Sequence, residues 1–361
     1  MKALFLVFEF LYLALCITIL KEYTIKKQMK FRLAFIILIS FVISHVNGQT
    51  FEWRTGFHGF FDNREYFNQY TSDQTMFGSR IYAEAGVSTD DHNHFMAGLS
   101  YLYEFGNKND LIAPDIILYY HGNKGPLNFF FGAFPRKELI DQPLMLLTDT
   151  LSYYRPNAEG MFLEFRKPWG YQNIWIDWTG RQTNSRRETF LIGGTGHIGK
   201  GILFYEHHFN MYHHAFTAIP VPDDHLRDNG GLTAVCGLNL SGILPVDSAF
   251  ISSGIGLSFD RIRNVYDFKT PIGWYSELGI EYKGFGVHGT CYLGDSHTII
   301  YGDKFYSSDS YQRIDLYYRR NQSKRITGKL QFSFHFVPGV IDYSQMLVIC
   351  VNLEGNNKLR K

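Results

Sequence analysis

Histidines beside hydroxyl or acidic residues are the first candidates for chemistry in this sequence. One group lies between residues 207 and 225: His207, His208, His213, His214, Asp223, Asp224 and His225. A metal site needs three or four converging ligands, whereas adjacent residues of a strand point to opposite faces. We therefore interpret this group as a strand end followed by a long outer loop. The sequence predicts no metal site and no cofactor.

A hydrolase would require a hydroxyl nucleophile beside a histidine base. Ser333 and His335 are on the same face of an alternating segment, so they are the pair to test. No G-x-S-x-G segment marks a nucleophile, and Ser and His on polar faces are most often structural. We predict that the chain is not an enzyme. A barrel hydrolase acting on lipid or glycan is the alternative.

The elements that would position these side chains have a period of two. From Ile326 to Phe336, apolar and polar residues alternate over the length that a tilted strand needs to cross a bilayer. Similar segments begin near residues 51, 77, 93, 112, 127, 159, 172, 187, 201, 231, 248, 272, 285, 311, 326 and 343. The predicted fold class is all-β, a transmembrane antiparallel up-and-down β-barrel of about 16 strands.

The connections between these segments alternate in length, which supports the same fold. Short turns follow the even-numbered segments. Longer connections follow several odd-numbered ones: about 62–76, 137–158, 212–230, 260–271 and 294–310. Short turns on the periplasmic side and long loops outside are typical of outer-membrane barrels.

Composition and the N-terminal segment agree with an exported membrane protein. The formal charge of +1 gives no basic surface for nucleic acid, and 32 Phe, 24 Tyr and 5 Trp exclude a disordered chain. Residues 1–48 are predicted to be an N-terminal extension plus a signal peptide, with its apolar part at 33–43 and cleavage near Gly48/Gln49. Residues 49–361 would form the barrel, in the cell outer membrane.

Whether the chain is a membrane protein or a soluble one depends on what the apolar faces of its strands contact. If the apolar faces meet lipid, the polar faces line a lumen: Arg54, Arg80, Glu84, Glu104, Asp115, Arg136, Glu164, Arg166, Asp177, Arg181, Glu277, Glu281, Arg313, Asp315, Arg319 and Lys329. Charges of both signs suit a pore with a transverse field. They equally suit an interior closed by salt bridges. If the apolar faces pack on one another, the chain is a secreted glycan-binding sandwich.

One long connection, 137–158, is too apolar for a solvated loop. We expect it to fold into the barrel and narrow it, with Asp149 and Arg155 near the constriction. The alternative is that it packs on a neighbouring subunit or on the rim of the barrel. Three pairs of an aromatic and a charged residue on one face suggest a sugar-binding surface in the lumen: Trp175 with Asp177, Phe162 with Glu164 and Tyr317 with Arg319.

The alternating segments after an apolar N-terminal stretch resemble the porin-like outer-membrane β-barrels of Gram-negative bacteria. The segments FFFGAFPRKEL, SYYRPNAEG, YQNIWIDWTGRQ and DNGGLTA also resemble a subgroup of such barrels with no assigned substrate. The resemblance implies passive diffusion of small hydrophilic solutes, sugars among them. The implied partners are the outer-membrane bilayer and these solutes, with no nucleic acid and with homo-oligomer formation left open. The chain departs from the pattern by ending in a polar tail rather than an aromatic residue.

Overall fold

A computed structural model describes residues 50–107, 113–137, 139–219, 221, 224–323 and 325–358, which form one β-sheet with two short helices. The strands are β1 (Thr50–Glu65), β2 (Gln74–Asp90), β3 (Asn93–Glu104), β4 (Asp115–Lys124), β5 (Leu127–Pro135), β6 (Asn157–Lys167), β7 (Gly170–Gly180), β8 (Thr189–Lys200), β9 (Leu203–His214), β10 (Arg227–Asn239), β11 (Ser248–Ile262), β12 (Tyr266–Lys269), β13 (Ile272–Tyr282), β14 (Phe285–Gly294), β15 (Ser310–Ser323), β16 (Ile326–Val337) and β17 (Val340–Lys358). The helices are α1 (Leu151–Tyr154) and a 3-10 helix (Lys304–Ser307).

The sheet closes on itself to form a barrel. All the strand pairs are antiparallel, and β17 pairs with β1 from Thr50 opposite Lys358 to Glu65 opposite Tyr343. The four-residue β12 and the longer β13 both pair with β11, one after the other. They therefore count as one strand of the wall, which has sixteen. Among the described strands, closure leaves no unpaired sheet edge, as a bilayer requires. The predicted fold class and strand number are confirmed.

Burial along β15 and β16 shows which face meets lipid. Leu316 and Phe332 are 43% and 45% exposed, whereas Asp315 and Ser333, one residue away, are 7% and 2% exposed. A soluble sandwich would bury the apolar side chains and expose the charged ones. The apolar face therefore forms the outer belt of an outer-membrane barrel, and the polar face lies inside.

The lengths of the connections follow the predicted parity. At one end, short turns occupy 91–92, 125–126, 168–169, 201–202 and 283–284. At the other end lie the longer connections 66–73, 136–156, 181–188, 215–226 and 295–309. The exceptions are 240–247, an eight-residue turn at the first end, and the two-residue turn 338–339 at the second. We assign the end with short turns to the periplasm.

The apolar core lies inside the barrel, where two of the long loops pack against the wall. Met145 and Leu146 of the 136–156 loop are fully buried together with Phe305 of the 295–309 loop and the inward-facing Tyr275 and Tyr311. A second cluster joins Ile140, Leu147 and Leu151 to Phe134, Phe162 and Trp175 of the wall. The prediction that the 137–158 connection enters the barrel is confirmed.

The structure tests the sequence prediction at the C-terminal end of the chain but not at the N-terminal end. The predicted extension and signal peptide, residues 1–48, lie outside the described residues. The expected polar tail after Leu353 instead continues β17 to Lys358, where it pairs with the start of β1. None of the helices in the described part of the chain has the length and apolarity to span a bilayer.

Candidate functional site

The interior of the barrel carries nearly all of the predicted lumen residues. Strand alternation turns these side chains inward, or places them in a loop that packs inside: Arg54, Arg80, Glu84, Glu104, Asp115, Arg136, Glu164, Arg166, Asp177, Glu277, Glu281, Arg313, Asp315, Arg319 and Lys329. The exception is Arg181. A register shift between Trp178 and Gly180 ends β7, so Arg181 is exposed in the 181–188 loop. Pore lining by the others stays a prediction.

Asp177 anchors both ends of the inserted 136–156 loop. Its carboxylate accepts hydrogen bonds from Arg136, from Arg155 at 3.2 Å and from the backbone N–H of Glu159 at 2.9 Å. The side chain of Asp177 is fully buried and that of Arg136 is 6% exposed. A buried carboxylate with several charge-assisted partners holds its neighbours firmly. The predicted constriction residue Arg155 is therefore fixed to the wall.

The second predicted constriction residue, Asp149, is held by β1, a different part of the wall from β7. Arg64 of β1 donates to Asp62 at 2.7 Å and to Asp149 at 2.8 Å. Tyr153 donates to Asp62 at 3.3 Å. Burial would raise the pKa of Asp149, but the Arg64 and Arg313 guanidinium groups lower it overall. Asp149 is therefore charged and paired at neutral pH.

A small polar cavity lies between this pair and the 295–309 loop. Its volume is ≈ 10 Å³, and its lining includes Asp62, Arg64, Tyr66, Asp149, Asp303, Arg313, Gln331, Ser333, Ser344 and Met346. That volume has room for about one water molecule. Arg313 donates to Asp315 at 2.7 Å and lies 4.0 Å from Asp303. Burial raises the pKa of Asp303, which Arg313 only partly offsets. We call this cavity, which lies between the loops and the wall, the polar seam.

The 295–309 loop is the part of the lumen that the sequence analysis missed. Asn229 of the wall donates to the carbonyl of Thr298 at 2.6 Å and accepts from the N–H of Ile300 at 2.8 Å. His297 is 1% exposed and shares a hydrogen bond of 2.7 Å with Ser258. Ile299, Phe305 and Tyr306 are buried among the wall tyrosines. Their apolar character is the same signal that identified the 137–158 connection.

The periplasmic half of the lumen is lined by side chains that remain solvated. We call this part the periplasmic vestibule and define it by five inward-facing side chains and their exposures: Arg54 41%, Arg166 58%, His197 33%, His288 32% and Arg319 50%. Each of the five has an acidic neighbour, such as Glu164 at 2.7 Å from Arg166. Charged groups that keep water can interact with a passing solute.

The wall between the vestibule and the loops carries a polar network on β1 to β4. Arg54 donates to the Tyr119 hydroxyl at 3.2 Å, which donates to Glu84 at 3.0 Å. Arg80 donates to Ser100 at 2.6 Å and to the backbone carbonyl of Tyr153 at 3.0 Å. The last contact ties helix α1 of the inserted loop to this network.

Only part of the predicted sugar-binding surface is exposed to the lumen. Phe162 and Trp175 are buried beneath the 136–156 loop at 0% and 2% exposure. Tyr317 and Arg319, which both contact Glu281, lie in the vestibule. Aromatic residues next to charges were correctly placed inside, but the loop covers two of the three pairs.

The hydroxyl–histidine pair singled out in the sequence does not form a dyad. Ser333 contacts Arg313 at 3.3 Å and Gln331 at 2.9 Å. His335 instead contacts Tyr311 at 2.8 Å and Ser344 at 3.4 Å.

A more complete arrangement, missed in the sequence, lies on β8 and β9. Thr195 Oγ1 is 3.2 Å from Nδ1 of His208, and Nε2 of that ring is 2.9 Å from Glu206. Thr195 is 2% exposed and also donates to the Asp141 carbonyl. Glu206 and His208 lie two residues apart on β9, but Thr195 is on β8, so no short sequence motif contains all three.

The predicted strand end and outer loop at residues 207–225 are present in the structure. Strand β9 ends at His214, and His207 and His213 point outward while His208 and His214 point inward. Asp223 lies outside the described residues. Among the residues that the structure describes, no group of three or more His, Cys, Asp or Glu is arranged to hold a metal ion.

Solved structures share this barrel fold at low sequence identity. The anion-selective porin from Comamonas acidovorans is 11% identical, with 84% of this chain and 99% of that chain covered and a TM-score of 0.50. Pseudomonas aeruginosa OccK3 (OpdO) is 12% identical, with 84% and 96% covered and a TM-score of 0.47. Acinetobacter baumannii OccAB4 is 10% identical, with 84% and 98% covered and a TM-score of 0.43. At 11% identity, the first comparison establishes a porin-like fold.

Sequence comparisons give the family. None of the curated proteins compared with this sequence matches it. The family model described as lipid A 3'-O-deacylase-type matches residues 43–344, which include all of β1 to β16. With a match over most of its length, this outer-membrane barrel belongs to the lipid A 3'-O-deacylase-type family.

Proposed function

We propose that the protein is a narrow outer-membrane channel for passive diffusion of small hydrophilic solutes, with the 136–156 loop as its constriction. The observation that carries this proposal is a polar lumen with charges of both signs, narrowed by a loop whose own charged residues contact the wall. Opposed charges across a narrow passage orient water and polar solutes, and they disfavour apolar ones.

The path that we propose runs from the periplasmic vestibule to the polar seam between the loops and the wall. In the vestibule, Arg54 and Arg319 are about half exposed. At the seam, the cavity beside Asp149 and Arg313 has a volume of ≈ 10 Å³. We propose that solutes larger than water pass this point when the 136–156 loop shifts. The ion pair between Arg64 and Asp149 resists that shift.

Single-channel recording in a planar bilayer tests the channel, using the full chain purified from outer membranes in detergent. The wild type should give small conductance steps. Asp149→Ala should raise the step size at least twofold, because it releases the loop from Arg64. Asp91→Asn, at an exposed periplasmic turn, is the matched control and should resemble the wild type. If no variant produces steps, the barrel is closed and the proposal is wrong.

The second candidate function is hydrolysis of an ester-linked acyl chain, in line with the name of the family. The order Thr195, His208 and Glu206 is that of a nucleophile, its base and an orienting carboxylate. Thr195 Oγ1 would attack the ester carbonyl once its hydroxyl proton turns from the Asp141 carbonyl to His208, which takes the proton and passes it to the leaving alcohol. Water would then release the fatty acid. We rank this second, since Thr195 faces the lumen and is buried, whereas membrane acyl chains lie outside the wall.

Fatty-acid release from lipid A tests this candidate by mass spectrometry of the reaction mixture. Thr195→Ala and His208→Asn should each abolish release, whereas Ser333→Ala should leave it unchanged. Absence of release by the wild type, or equal release by Thr195→Ala, would contradict hydrolysis at this position.

A further inference from the structure

A charged group interrupts the lipid-facing surface near the extracellular end of β9, β10 and β11. His213, Asp228 and Arg261 face one another across these strands, in a row that begins on β8 with Phe190. The row faces outward, because Tyr205 and Ile255 on the same faces of β9 and β11 are 41% and 43% exposed. We name His213, Asp228, Arg261 and Arg263 the outer charged cluster.

Asp228 organises the outer charged cluster. Its carboxylate is 2.7 Å from Nδ1 of His213, accepts hydrogen bonds from Arg263 at 3.2 Å and 3.3 Å, and lies 4.0 Å from Arg261. The side chain of Asp228 is 9% exposed, whereas those of Arg261 and Arg263 are 28% and 44% exposed. The acidic group is therefore covered, and the guanidinium groups are presented at the surface.

The charge of the cluster is not balanced. Two arginines face one aspartate, so the sum of these formal charges is positive even with His213 neutral. A guanidinium carries five N–H donors in a planar fork, more than the contacts with Asp228 use. Oxygens of a phosphate group match that fork. The cluster thus offers donors and positive charge without a second acidic side chain from this row.

Aromatic side chains place the cluster at the boundary between acyl chains and headgroups. Trp178 and Phe268 on either side of it are 41% and 49% exposed. The Phe190 ring lies 5.0 Å from that of His213, and the guanidinium of Arg261 lies 4.8 Å from the centre of the Phe268 ring. Exposed aromatic rings form girdles at the membrane interface in barrels of this class. Cations at that level face lipid phosphates.

We infer that the outer charged cluster binds a phosphate group of an outer-leaflet glycolipid, with Arg261 and Arg263 contacting the phosphate. The acyl chains of that lipid lie along the neighbouring apolar wall. Asp228 is a positioning residue that orients Arg263, and His213 holds the Asp228 carboxylate in turn. This site is on the outer surface, so it is separate from the proposed channel and from Thr195 in the lumen.

Lipid binding to the delipidated full chain in detergent tests the inference, with native mass spectrometry as the readout. The probes are lipid A carrying its phosphates and the same lipid after removal of the phosphates. The wild type should bind the phosphorylated lipid at least tenfold more tightly than the dephosphorylated one. The double variant R261A/R263A should lose that preference, and R261K/R263K should retain part of it.

Lys283→Ala is the matched control, because Lys283 lies over the exposed ring of Tyr282 at the opposite, periplasmic end of the wall. Its lipid binding should equal that of the wild type. Heat-modifiable migration on a gel checks that each variant is folded. Equal binding of both lipids by the wild type would overturn the inference. So would displacement of the lipid by equimolar inorganic phosphate, or a change of oligomeric state in R261A/R263A with lipid binding intact.

Discussion

The two halves of the lumen are built from the same alternating strands but differ in what fills them. In the extracellular half, Arg136 and Arg313 are 6% and 8% exposed beneath packed loops. In the periplasmic vestibule, Arg166 and Arg319 are 58% and 50% exposed. The wall supplies arginines at both levels, and the packed loops bury those of the extracellular half, whereas those of the vestibule stay exposed beside the buried Glu164 and Glu281.

The largest expected effect is on the extracellular half. Asp177→Leu leaves Arg136 and Arg155 without their buried carboxylate, and breaking such a pair costs about 3–5 kcal/mol. The free energy of unfolding, measured by urea denaturation in detergent, should fall accordingly. Proteolysis within 136–156 should become faster. The double variant R136M/D177L should recover part of the stability, and unchanged stability in Asp177→Leu would show that the loop is held by its apolar side chains alone.

Lowering the pH should have an effect of intermediate size, which weakens docking of the 295–309 loop in the extracellular half of the lumen. Burial lowers the pKa of His297 to about 4, an effect that Asp295 only partly opposes, and its Nε2 atom finds no hydrogen-bond partner among the described residues. Between pH 6.5 and 4 the undocked loop takes up a proton that the docked loop does not. Docking is therefore fully stable above pH 6.5 and weakens as the pH falls, by up to about 3 kcal/mol.

Limited proteolysis of the 295–309 loop between pH 7.5 and 4 measures this effect. Cleavage should accelerate as the pH falls. In His297→Gln the part of the acceleration between pH 6.5 and 4 should disappear. If the wild type and His297→Gln respond identically, another group controls the docking of the loop.

The smallest effect on stability is expected in the vestibule. Arg319 is half exposed beside Glu281, so Arg319→Ala should change the free energy of unfolding by less than about 1 kcal/mol. The same change should shift ion selectivity toward cations, measured as a reversal potential across a salt gradient. Glu281→Gln should shift it the other way. A reversal potential that is insensitive to both would mean that ions do not pass this part of the lumen.

The strands and their orientation could be predicted from the sequence because period two is a local property. The alternation of Leu316 and Phe332 with Asp315 and Ser333 is visible in the sequence and holds in the structure. The sequence predicts Arg181 as an inward-facing strand residue, but β7 ends just after a register shift that follows Trp178. Such bulges leave no periodic signal in the sequence.

The candidate site could be predicted only in part, because its contacts join residues that are far apart in sequence. The charges of Arg64 and Asp149 are visible in the sequence, but the hydrogen bond between them depends on where the 136–156 loop docks. The same holds for His297 and Ser258. Trp175 is likewise buried only because the 136–156 loop docks on it, so this residue is not part of an exposed sugar-binding surface.

Closure of the wall through β1 and β17 has a consequence for biogenesis. Thr50 finds its partner only when Lys358 has been synthesised and delivered, so the wall cannot be sealed during export of the growing chain. Until then, two strand edges stay open and can pair with other chains. Before closure, the edges of β1 and β17 are therefore where pairing with another chain would begin.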